Sequence, residues 1–493
     1  MKKRLIYFIT LAGIVLHTSC QGFLDRNPFD AIPQPEAIQN LKDAEAAING
    51  IYAVWNSSGL YSGNLTLVPD IQCDMVYSVV GFTNRMGNVY SWNIIPTNEY
   101  TQDVYAYLYK VVSNCNFLFA SQANVTLKDD AEKARFERIL GEAYFSRAMA
   151  YTELVKYFAP VYDPAKAEQQ TGISIWNNFE AGKPARENLA KCYEQIFEDL
   201  KMADARIKKA EDGKDTRITR AALKALYARA YLYTQQWELA VKSASYAIDS
   251  CSYQLATGFN SIDTTLAQTS FHKMWEYDKS DEIIWKLEYT PDNLPGSLGV
   301  AFCGLSGNQL RIDFVPAVSM VNMYDPQDIR RQTYFNMGKV NGVAMSYITK
   351  YPGNPDLRPS IAHVYVNMPK VFRLAEMYLI RAEANARRNL EKESNDDIEA
   401  LRKVRIQNYV HIRLSGTRLT EEIRNERVKE LYMEGHRLYD LKRYSQGFIR
   451  QKQAQTLSPG DQLNIVPTNH SFLWPIPSHE MDANRNMVQN PGY

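Results

Sequence analysis

Apolar residues recur every three or four positions along several long stretches of the chain, and this spacing predicts amphipathic helices. The stretches 39–55, 101–122 and 129–158 keep this period throughout, and Pro160 ends the third because proline cannot continue a helix. The first third of the chain is therefore expected to be dominated by long helices.

A helical hairpin over 226–247 has the features of a tetratricopeptide repeat. Small residues and one ring fall at the offsets where such repeats bring two helices close together, namely Ala228, Tyr231, Ala240 and Ala247. Partial copies of the pair are 141–144 with 189–207, and 375–384 with 398–404. Because each pair needs neighbours to cover its apolar face, three pairs predict a stacked superhelical scaffold.

Two long stretches, 59–100 and 251–370, lack a helical period and carry Gly, Pro, Asn and many aromatic residues. Loops of this length are uncommon inside compact domains and are usually functional. The segment 281–289 predicts a short strand by its β-branched and aromatic content. The expected fold class is mostly α, a repeat-like helical scaffold with long irregular loops and a few short strands.

Composition narrows the function classes. Of 493 residues, 45% are hydrophobic and 23% are charged, which is enough apolar material for a packed core. Lys and Arg number 56 against 55 Asp and Glu, so the chain is nearly neutral. This balance argues against a general binder of nucleic-acid backbones. Aromatic residues reach 12%, which indicates either a large core or flat surfaces on which a ligand stacks.

The N-terminus has the pattern of a secretory signal. A positive segment, 1–4, precedes the apolar run 5–16, which is too short to span a bilayer comfortably. Small residues then precede Cys20, where a lipoprotein signal peptidase would cut after residue 19. We therefore expect residues 1–19 to be removed and Cys20 to carry a lipid that anchors the protein. The alternative is ordinary cleavage, which leaves Cys20 free.

Signatures of catalysis and metal binding are weak. The remaining cysteines are widely spaced without a C-x-x-C motif, which argues against a disulfide framework or a zinc site. His436 lacks a second histidine four residues away, as a zinc motif on a helix requires, and it is expected to be a packing residue. It lies in a charge-rich helix over 424–437, whose charged face is expected to be salt-bridged or solvated. No paired carboxylates or nucleophile elbow stand out. The sequence predicts no cofactor and no metal.

Several segments together carry a family resemblance. They are Ser19-Cys20 followed by 23–28, then 44–52, 142–154, 221–233, 373–384, 424–443, 473–477 and 482–493. In this order, spread over the whole chain, they resemble the SusD/RagB family of bacterial outer-membrane nutrient-binding lipoproteins.

The resemblance implies a protein that is not an enzyme. It implies binding of an oligosaccharide, or of a peptide in some members, and delivery to a TonB-dependent transporter of the SusC type at the cell surface. It also implies one unit over 20–493, with an N-terminal part (20–220) that holds binding loops at 59–100 and a C-terminal part (221–493). Surface-exported members often have several acidic residues after the lipidated cysteine, whereas here only Asp25 is acidic. Outward display is therefore less firmly expected than outer-membrane attachment.

Candidate ligand residues follow from sugar chemistry, since a sugar ring needs a flat aromatic surface for its C–H face and amides, carboxylates or guanidinium groups for its hydroxyls. The stretch before the second long helix supplies Asp74, Arg85, Tyr90, Trp92, Asn93 and Asn98, and a second stretch, 296–314, supplies Phe302, Gln309 and Arg311. The resemblance places binding residues in the first stretch, at Asp74, Arg85, Trp92 and Asn98. The alternative is that Trp92 packs on the following helix and Asp74 pairs locally.

Three hypotheses remain open at this point. The first is a lipid-anchored glycan-binding subunit of a transporter, and the second is a surface glycoside hydrolase. The third is a helical scaffold whose only ligand is the transporter itself. The sequence does not identify the sugar, because aromatic loops specify neither linkage nor monosaccharide.

Overall fold

The computed structural model describes residues 36–81, 83–208, 215–306, 309–340, 342–358, 365–453 and 461–493. The expected signal peptide 1–19 and the lipidation site Cys20 lie outside these residues.

Helices make up most of the regular structure. The helices are α1 (Leu41–Trp55), α2 (Asn64–Ile71), α3 (Gly87–Tyr90), α4 (Glu99–Ser121), α5 (Asp130–Phe158), α6 (Leu189–Arg206), α7 (Arg220–Tyr233), α8 (Trp237–Asp249), α9 (Ser270–Glu276), α10 (Val300–Cys303), α11 (Val318–Asn322), α12 (Ile329–Tyr334), α13 (Leu374–Arg387), α14 (Glu391–Arg405), α15 (Gly416–Glu430), α16 (Arg437–Arg443) and α17 (Ser478–Ala483). The three helices predicted before Pro160 are confirmed to within two residues at each end, as α1, α4 and α5.

Five long helices begin at a polar residue that accepts a hydrogen bond from the backbone N–H three residues later. These caps are Asn40, Asn98, Asp129, Asn188 and Thr219. Such a side chain satisfies a backbone donor that the helix itself leaves unpaired, and it contributes about 1 kcal/mol. The chain therefore encodes the start of these helices locally.

The helices pack in antiparallel pairs, α5 with α6, α7 with α8 and α13 with α14. At the contact between α7 and α8, Ala228, Ala240, Ala244 and Ala247 have no exposed surface. Small side chains let the two backbones approach closely, which is the arrangement predicted from the repeat-like spacing. The mostly α, tetratricopeptide-like fold class is confirmed.

Short strands cross the stretches that the sequence left without a period. The strands are β1 (Val76–Ser78), β2 (Ile283–Lys286), β3 (Leu305–Ser306), β4 (Gln309–Leu310), β5 (Phe314–Pro316), β6 (Phe335–Val340), β7 (Val343–Ile348), β8 (Lys370–Arg373), β9 (Phe448–Arg450) and β10 (Leu463–Ile465). They form antiparallel ribbons β1–β5, β2–β8 and β9–β10, and a four-stranded sheet in the order β3-β4-β6-β7. The strand predicted over 281–289 is confirmed as β2, but the long stretches are more ordered than expected.

A set of charged side chains is buried at the base of the C-terminal helices. We call it the buried charge cluster, and its members are Glu282, Asp328, Arg330, Arg373, Arg405, Glu426, Glu430 and Glu434. Glu430 lies at its centre, where its two carboxylate oxygens accept from Arg330, Arg373 and Arg405 at 2.8–3.1 Å. Burial opposes ionisation, but these three guanidinium groups lower the pKa of Glu430. The charge-rich helix is thus salt-bridged, and its paired face is buried.

The described ranges contain neither a membrane-spanning helix nor a metal-binding cluster of side chains. No helix there is long and apolar enough to cross a membrane. Across the same ranges, no group of three or more His, Cys, Asp or Glu side chains is arranged to hold a metal ion. Cys73, Cys115, Cys192, Cys251 and Cys303 are all free thiols, and all but Cys251 are buried.

Candidate ligand-binding site

The ribbon of β1 and β5 brings together the two stretches that the sequence singled out. Val76 lies opposite Pro316 and Ser78 lies opposite Phe314 in antiparallel register. The ribbon continues past its last pair, because the Val79 backbone N–H donates to the carbonyl of Asp313 at 3.0 Å. Segments more than 200 residues apart in sequence are therefore joined by backbone hydrogen bonds.

The Asp313 carboxylate connects the loop after β1 to the second stretch. Its Oδ1 accepts from the Thr83 backbone N–H at 2.7 Å, and its Oδ2 lies 3.5 Å from Nε of Arg85. Asp313 is buried, whereas 43% of the Arg85 side chain is exposed. A buried carboxylate thus forms an ion pair with a guanidinium group that is partly exposed to solvent.

Beside this loop, β3 and β4 form a small hairpin that carries two further candidates. Ser306 lies opposite Gln309, and the Arg311 backbone N–H donates to the Gly304 carbonyl at 2.8 Å. The Gln309 and Arg311 side chains are exposed and meet each other, with Arg311 Nη2 3.4 Å from Gln309 Oε1. We call the exposed surface formed by Val80, Gly81, Thr83, Asn84, Arg85, Leu305, Ser306, Gln309 and Arg311 the ribbon face.

Two half-buried tyrosines near the ribbon face were not anticipated. Tyr347 lies on β7 opposite Asn336, and a side chain at Gly338 would come within 3.0 Å of its ring. Burial raises the pKa of Tyr365, and the backbone N–H of Leu305 near its hydroxyl lowers it by a smaller amount. The Asn341-Gly342 dipeptide between apolar runs is a strong hairpin signal that could have located β6 and β7, and with them Tyr347.

The ribbon face offers a mixture of groups suited to a hydroxylated ligand. Arg85, Gln309 and Arg311 provide planar donors and one amide oxygen, which match the alternating donors and acceptors of sugar hydroxyls. Val80 and Leu305 are 46% and 56% exposed and supply apolar surface for C–H groups. Exposed polar and apolar groups are therefore adjacent on one surface, although no aromatic ring in the predicted set is open to it.

Trp92 and Tyr90 are buried, so the expectation that their rings face a ligand requires correction. The Trp92 indole packs between Phe448 and Phe472, with ring centroids 5.6 and 4.9 Å away, and its Nε1–H donates to the Gln72 carbonyl. Only 8% of Trp92 is exposed. The ring is thus packed inside the protein, as in the alternative drawn from the sequence, but its aromatic partners come from positions 448 and 472 and not from the following helix.

The Tyr90 hydroxyl donates to Asp461 at 2.6 Å, and the Arg450 guanidinium lies 3.9 Å from its ring centroid. Phe302 is also buried, in α10, against Phe314 with centroids 6.5 Å apart. These rings fill the core behind the ribbon face because each has apolar or cationic partners on its faces. In this structure neither ring therefore has an exposed face on which a sugar could stack.

The remaining polar candidates divide between structural and exposed positions. Asp74 accepts two hydrogen bonds from Arg437, at 2.8 and 2.7 Å, so it is paired as in the alternative drawn from the sequence, although its partner is remote in the chain and not local. Asn98 is buried and caps α4 by accepting from the Thr101 backbone N–H. Asn93 is exposed, although its backbone N–H is bonded to the Asn88 carbonyl. Of the predicted residues, Arg85, Asn93, Gln309 and Arg311 are the ones accessible to a ligand, and their binding roles stay predictions.

Two family models match the chain. The SusD family matches residues 344–493, and a family described as starch-binding and associating with the outer membrane matches residues 22–232. The chain belongs to the SusD-like family. The resemblance drawn from the sequence segments is therefore confirmed.

Curated relatives match this SusD-like protein over all or part of its length. It is 24% identical to SusD-like protein P2 of Formosa agariphila, with 100% of both chains covered. It is 36% identical over 128 residues to the starch-binding protein SusD of Bacteroides thetaiotaomicron, which covers 25% of this chain and 21% of that protein. A crystal structure of a SusD superfamily protein from Bacteroides thetaiotaomicron superposes with a TM-score of 0.79 at 24% identity, covering 92% of this chain and 100% of that one. This structural likeness establishes the fold.

Proposed function

We propose that this SusD-like chain is a non-enzymatic, lipid-anchored protein of the outer membrane that binds an oligosaccharide and passes it to a SusC-type TonB-dependent transporter. The ligand class is supported by the matched family described as starch-binding and by the relative named as a starch-binding protein. The anchor is supported by the signal pattern that ends at Cys20. Transporter delivery and display on the cell exterior rest on the family resemblance.

The observation that carries the proposal is the meeting of the two candidate stretches at the ribbon face. Asp313 accepts a hydrogen bond from the Thr83 backbone and forms an ion pair with Arg85, so the loop is tied to the second stretch before any ligand arrives. A positioned group loses less conformational entropy on binding than a free one. Arg85, Gln309 and Arg311 would then hold the hydroxyls of a sugar, while Val80 and Leu305 contact its C–H groups.

The proposal is tested on the full-length protein with a glycan array followed by calorimetry against the best-binding oligosaccharide. The test variant combines Arg85→Ala with Arg311→Ala, and Arg135→Ala, on the exposed side of α5, is the matched control. We expect the double variant to weaken binding by about tenfold or more, because hydrogen bonds to charged groups contribute about 1.5–3 kcal/mol. The control should bind as the unmodified protein does.

Each contrary outcome selects one alternative. Unchanged affinity of the double variant would remove the ribbon face from the site. Binding of peptides in place of any glycan would favour a peptide-binding subunit, and binding of neither, with transporter association intact, would favour a pure scaffold. Release of reducing sugar from the bound glycan would favour a hydrolase.

A further inference from the structure

A cavity of about 590 Å³ lies among three segments that are remote in sequence. Its walls are α4, the connection 174–184 and α17, and we call it the helical pocket. No residue that lines it belongs to the ribbon face. Its volume falls within the range of about 300–1,000 Å³ that is typical of small-molecule sites.

The connection that forms one wall is held rigidly by buried side chains. Asn116 Nδ2 donates to the carbonyls of Trp176 and Asn178 at 2.7 and 3.0 Å. The Tyr151 hydroxyl donates to the Trp176 carbonyl at 2.8 Å and accepts from the Trp176 backbone N–H at 2.9 Å. Tyr109 adds a bond to the Ser174 carbonyl at 2.9 Å. The connection therefore has a fixed backbone although it contains no regular secondary structure.

The orientation of Asn116 is itself determined by a buried ion pair. Arg147 donates to Asn116 Oδ1 at 2.7 Å, so the amide nitrogen must face the connection. Arg147 also forms a two-pronged pair with Asp199, at 2.8 and 2.6 Å. All three side chains are buried. A chain of charge-assisted hydrogen bonds therefore extends from α6 through α5 and α4 to the pocket wall.

The rings in the pocket differ from those behind the ribbon face because they are partly open. Trp176 and Phe179 are half-buried. The Trp176 Nε1–H donates to the Glu180 carbonyl at 3.2 Å, and Phe179 rests against Phe117 with centroids 5.0 Å apart. Each ring is thus held at one edge or face while part of its surface remains accessible, which is what stacking on a sugar requires.

Polar side chains in the lining complete the chemistry. They include Lys110, Ser113, Asn114, Asn178, Glu180, His479 and Glu480. The two glutamates disfavour binding of a polyanion, and the lysine disfavours binding of a small cation, because each would face a group of its own charge. Amides and carboxylates next to open rings suit a compact, uncharged ligand with many hydroxyls.

We propose that the helical pocket is a second carbohydrate site, which takes a mono- or disaccharide stacked on Trp176 independently of the ribbon face. It shares its ligand class, but not its residues, with the function proposed above. A protein with both sites could hold one oligosaccharide at two points, which increases avidity without new contacts at either site. It could also bind two separate sugars, one at each site.

The test measures binding of maltose, cellobiose, xylobiose and diacetylchitobiose to the full-length protein by calorimetry and intrinsic fluorescence. All seven tryptophans lie in the described part of the chain, and five of them are buried. Trp176 and Trp237 are half-buried, so a ligand could contact their rings and change their fluorescence. Trp176→Ala is the test variant, Trp176→Phe keeps a ring, and Trp237→Ala is the control. Phe179→Ala replaces Trp176→Ala if that variant does not fold.

We expect at least one disaccharide to bind saturably and Trp176→Ala or Phe179→Ala to weaken that binding by about tenfold, because each variant removes a ring surface on which the sugar stacks. Trp176→Phe, Trp237→Ala and the Arg85→Ala, Arg311→Ala double variant should retain the binding.

The inference is overturned if no disaccharide binds up to about 10 mM, which corresponds to less than about 3 kcal/mol of affinity. It is equally overturned if the ring-removing variants bind normally, or if choline binds in a Trp176-dependent way where no sugar does. Loss of disaccharide binding in the Arg85→Ala, Arg311→Ala variant would assign that binding to the ribbon face. Failure at the ribbon face alone would leave disaccharide binding at the helical pocket intact, so the two proposals are tested separately.

Discussion

The carboxylate of Asp74 accepts two parallel hydrogen bonds from the guanidinium of Arg437, at 2.8 and 2.7 Å. This pair ties the segment after α2 to the start of α16, across more than 360 residues of sequence. Burial raises the pKa of Asp74, but Arg437 more than offsets this and holds the pKa below its usual value. The side chains are only 17% and 14% exposed.

Asp74→Ala should therefore act on stability. We expect the free energy of unfolding, measured by urea denaturation, to fall by about 2–3 kcal/mol, less than the 3–5 kcal/mol of a fully buried pair. The control Asp130→Ala removes an exposed carboxylate and should change it by less than about 0.5 kcal/mol. Normal stability together with weakened glycan binding would restore Asp74 to the ligand site.

Trp92→Ala should leave a cavity between Phe448 and Phe472. Replacement of a buried tryptophan by alanine usually costs about 3–5 kcal/mol, and we expect a loss of that size in thermal or urea unfolding. Trp237→Ala, at a half-buried ring, should cost clearly less. If Trp92→Ala instead unfolds normally and loses oligosaccharide affinity, the ring stacks on the ligand as the sequence first suggested.

Glu430→Gln tests the buried charge cluster. The variant keeps the shape of the side chain but leaves Arg330, Arg373 and Arg405 without their shared negative charge. We expect a loss of about 2–4 kcal/mol in unfolding free energy, because one carboxylate oxygen becomes an NH₂ donor that faces a guanidinium donor, although the three arginines keep their other carboxylate partners. Glu421→Gln, at an exposed position on the same helix, is the control. Equal unfolding free energies of the two variants would show that the charge of Glu430 does not stabilise the cluster.

His436 should make the protein sensitive to mild acid. Burial, together with the nearby Arg229 and Lys156 cations, holds the pKa of this imidazole well below its usual value. Below about pH 6.5 the imidazole is protonated in the unfolded chain but stays neutral in the folded protein. The contribution of His436 to the free energy of unfolding is therefore complete above that pH and decreases as the pH drops.

The measurement is the unfolding free energy of His436→Phe and of the unmodified protein between pH 7 and pH 5. The difference between the two should change by up to about 1.4 kcal/mol per pH unit below pH 6.5, in favour of the variant at lower pH. His479→Gln, at an exposed histidine, should not alter the slope. Parallel curves for His436→Phe and the unmodified protein would contradict the assigned burial effect.

The helices were predictable because the information for each is local. Apolar period, a polar cap such as Asn98 or Asp129, and a terminator such as Pro160 all lie within the segment itself. The β1–β5 ribbon was not predictable in the same way, because its two short strands carry no period and are paired only by the three-dimensional fold. The sequence nevertheless identified both stretches as candidates from their composition.

Whether an aromatic side chain is exposed to solvent could not be predicted from its residue type. A tryptophan in an aromatic loop fits either a stacking platform or a core, and the choice for Trp92 depends on Phe448 and Phe472, far along the chain. Trp176 has the same chemistry and remains partly open because its connection runs over α4. The sequence contained no signal to distinguish these two indoles.

The buried charge cluster imposes an order on how the polypeptide matures. Its arginines at 330, 373 and 405 emerge from the ribosome before Glu426, Glu430 and Glu434, so a growing chain lacks three of the five acidic members of the cluster until its last hundred residues arrive. We therefore expect this half of the protein to complete its fold only when synthesis is almost finished. A fragment that ends before residue 426 should remain open to proteases.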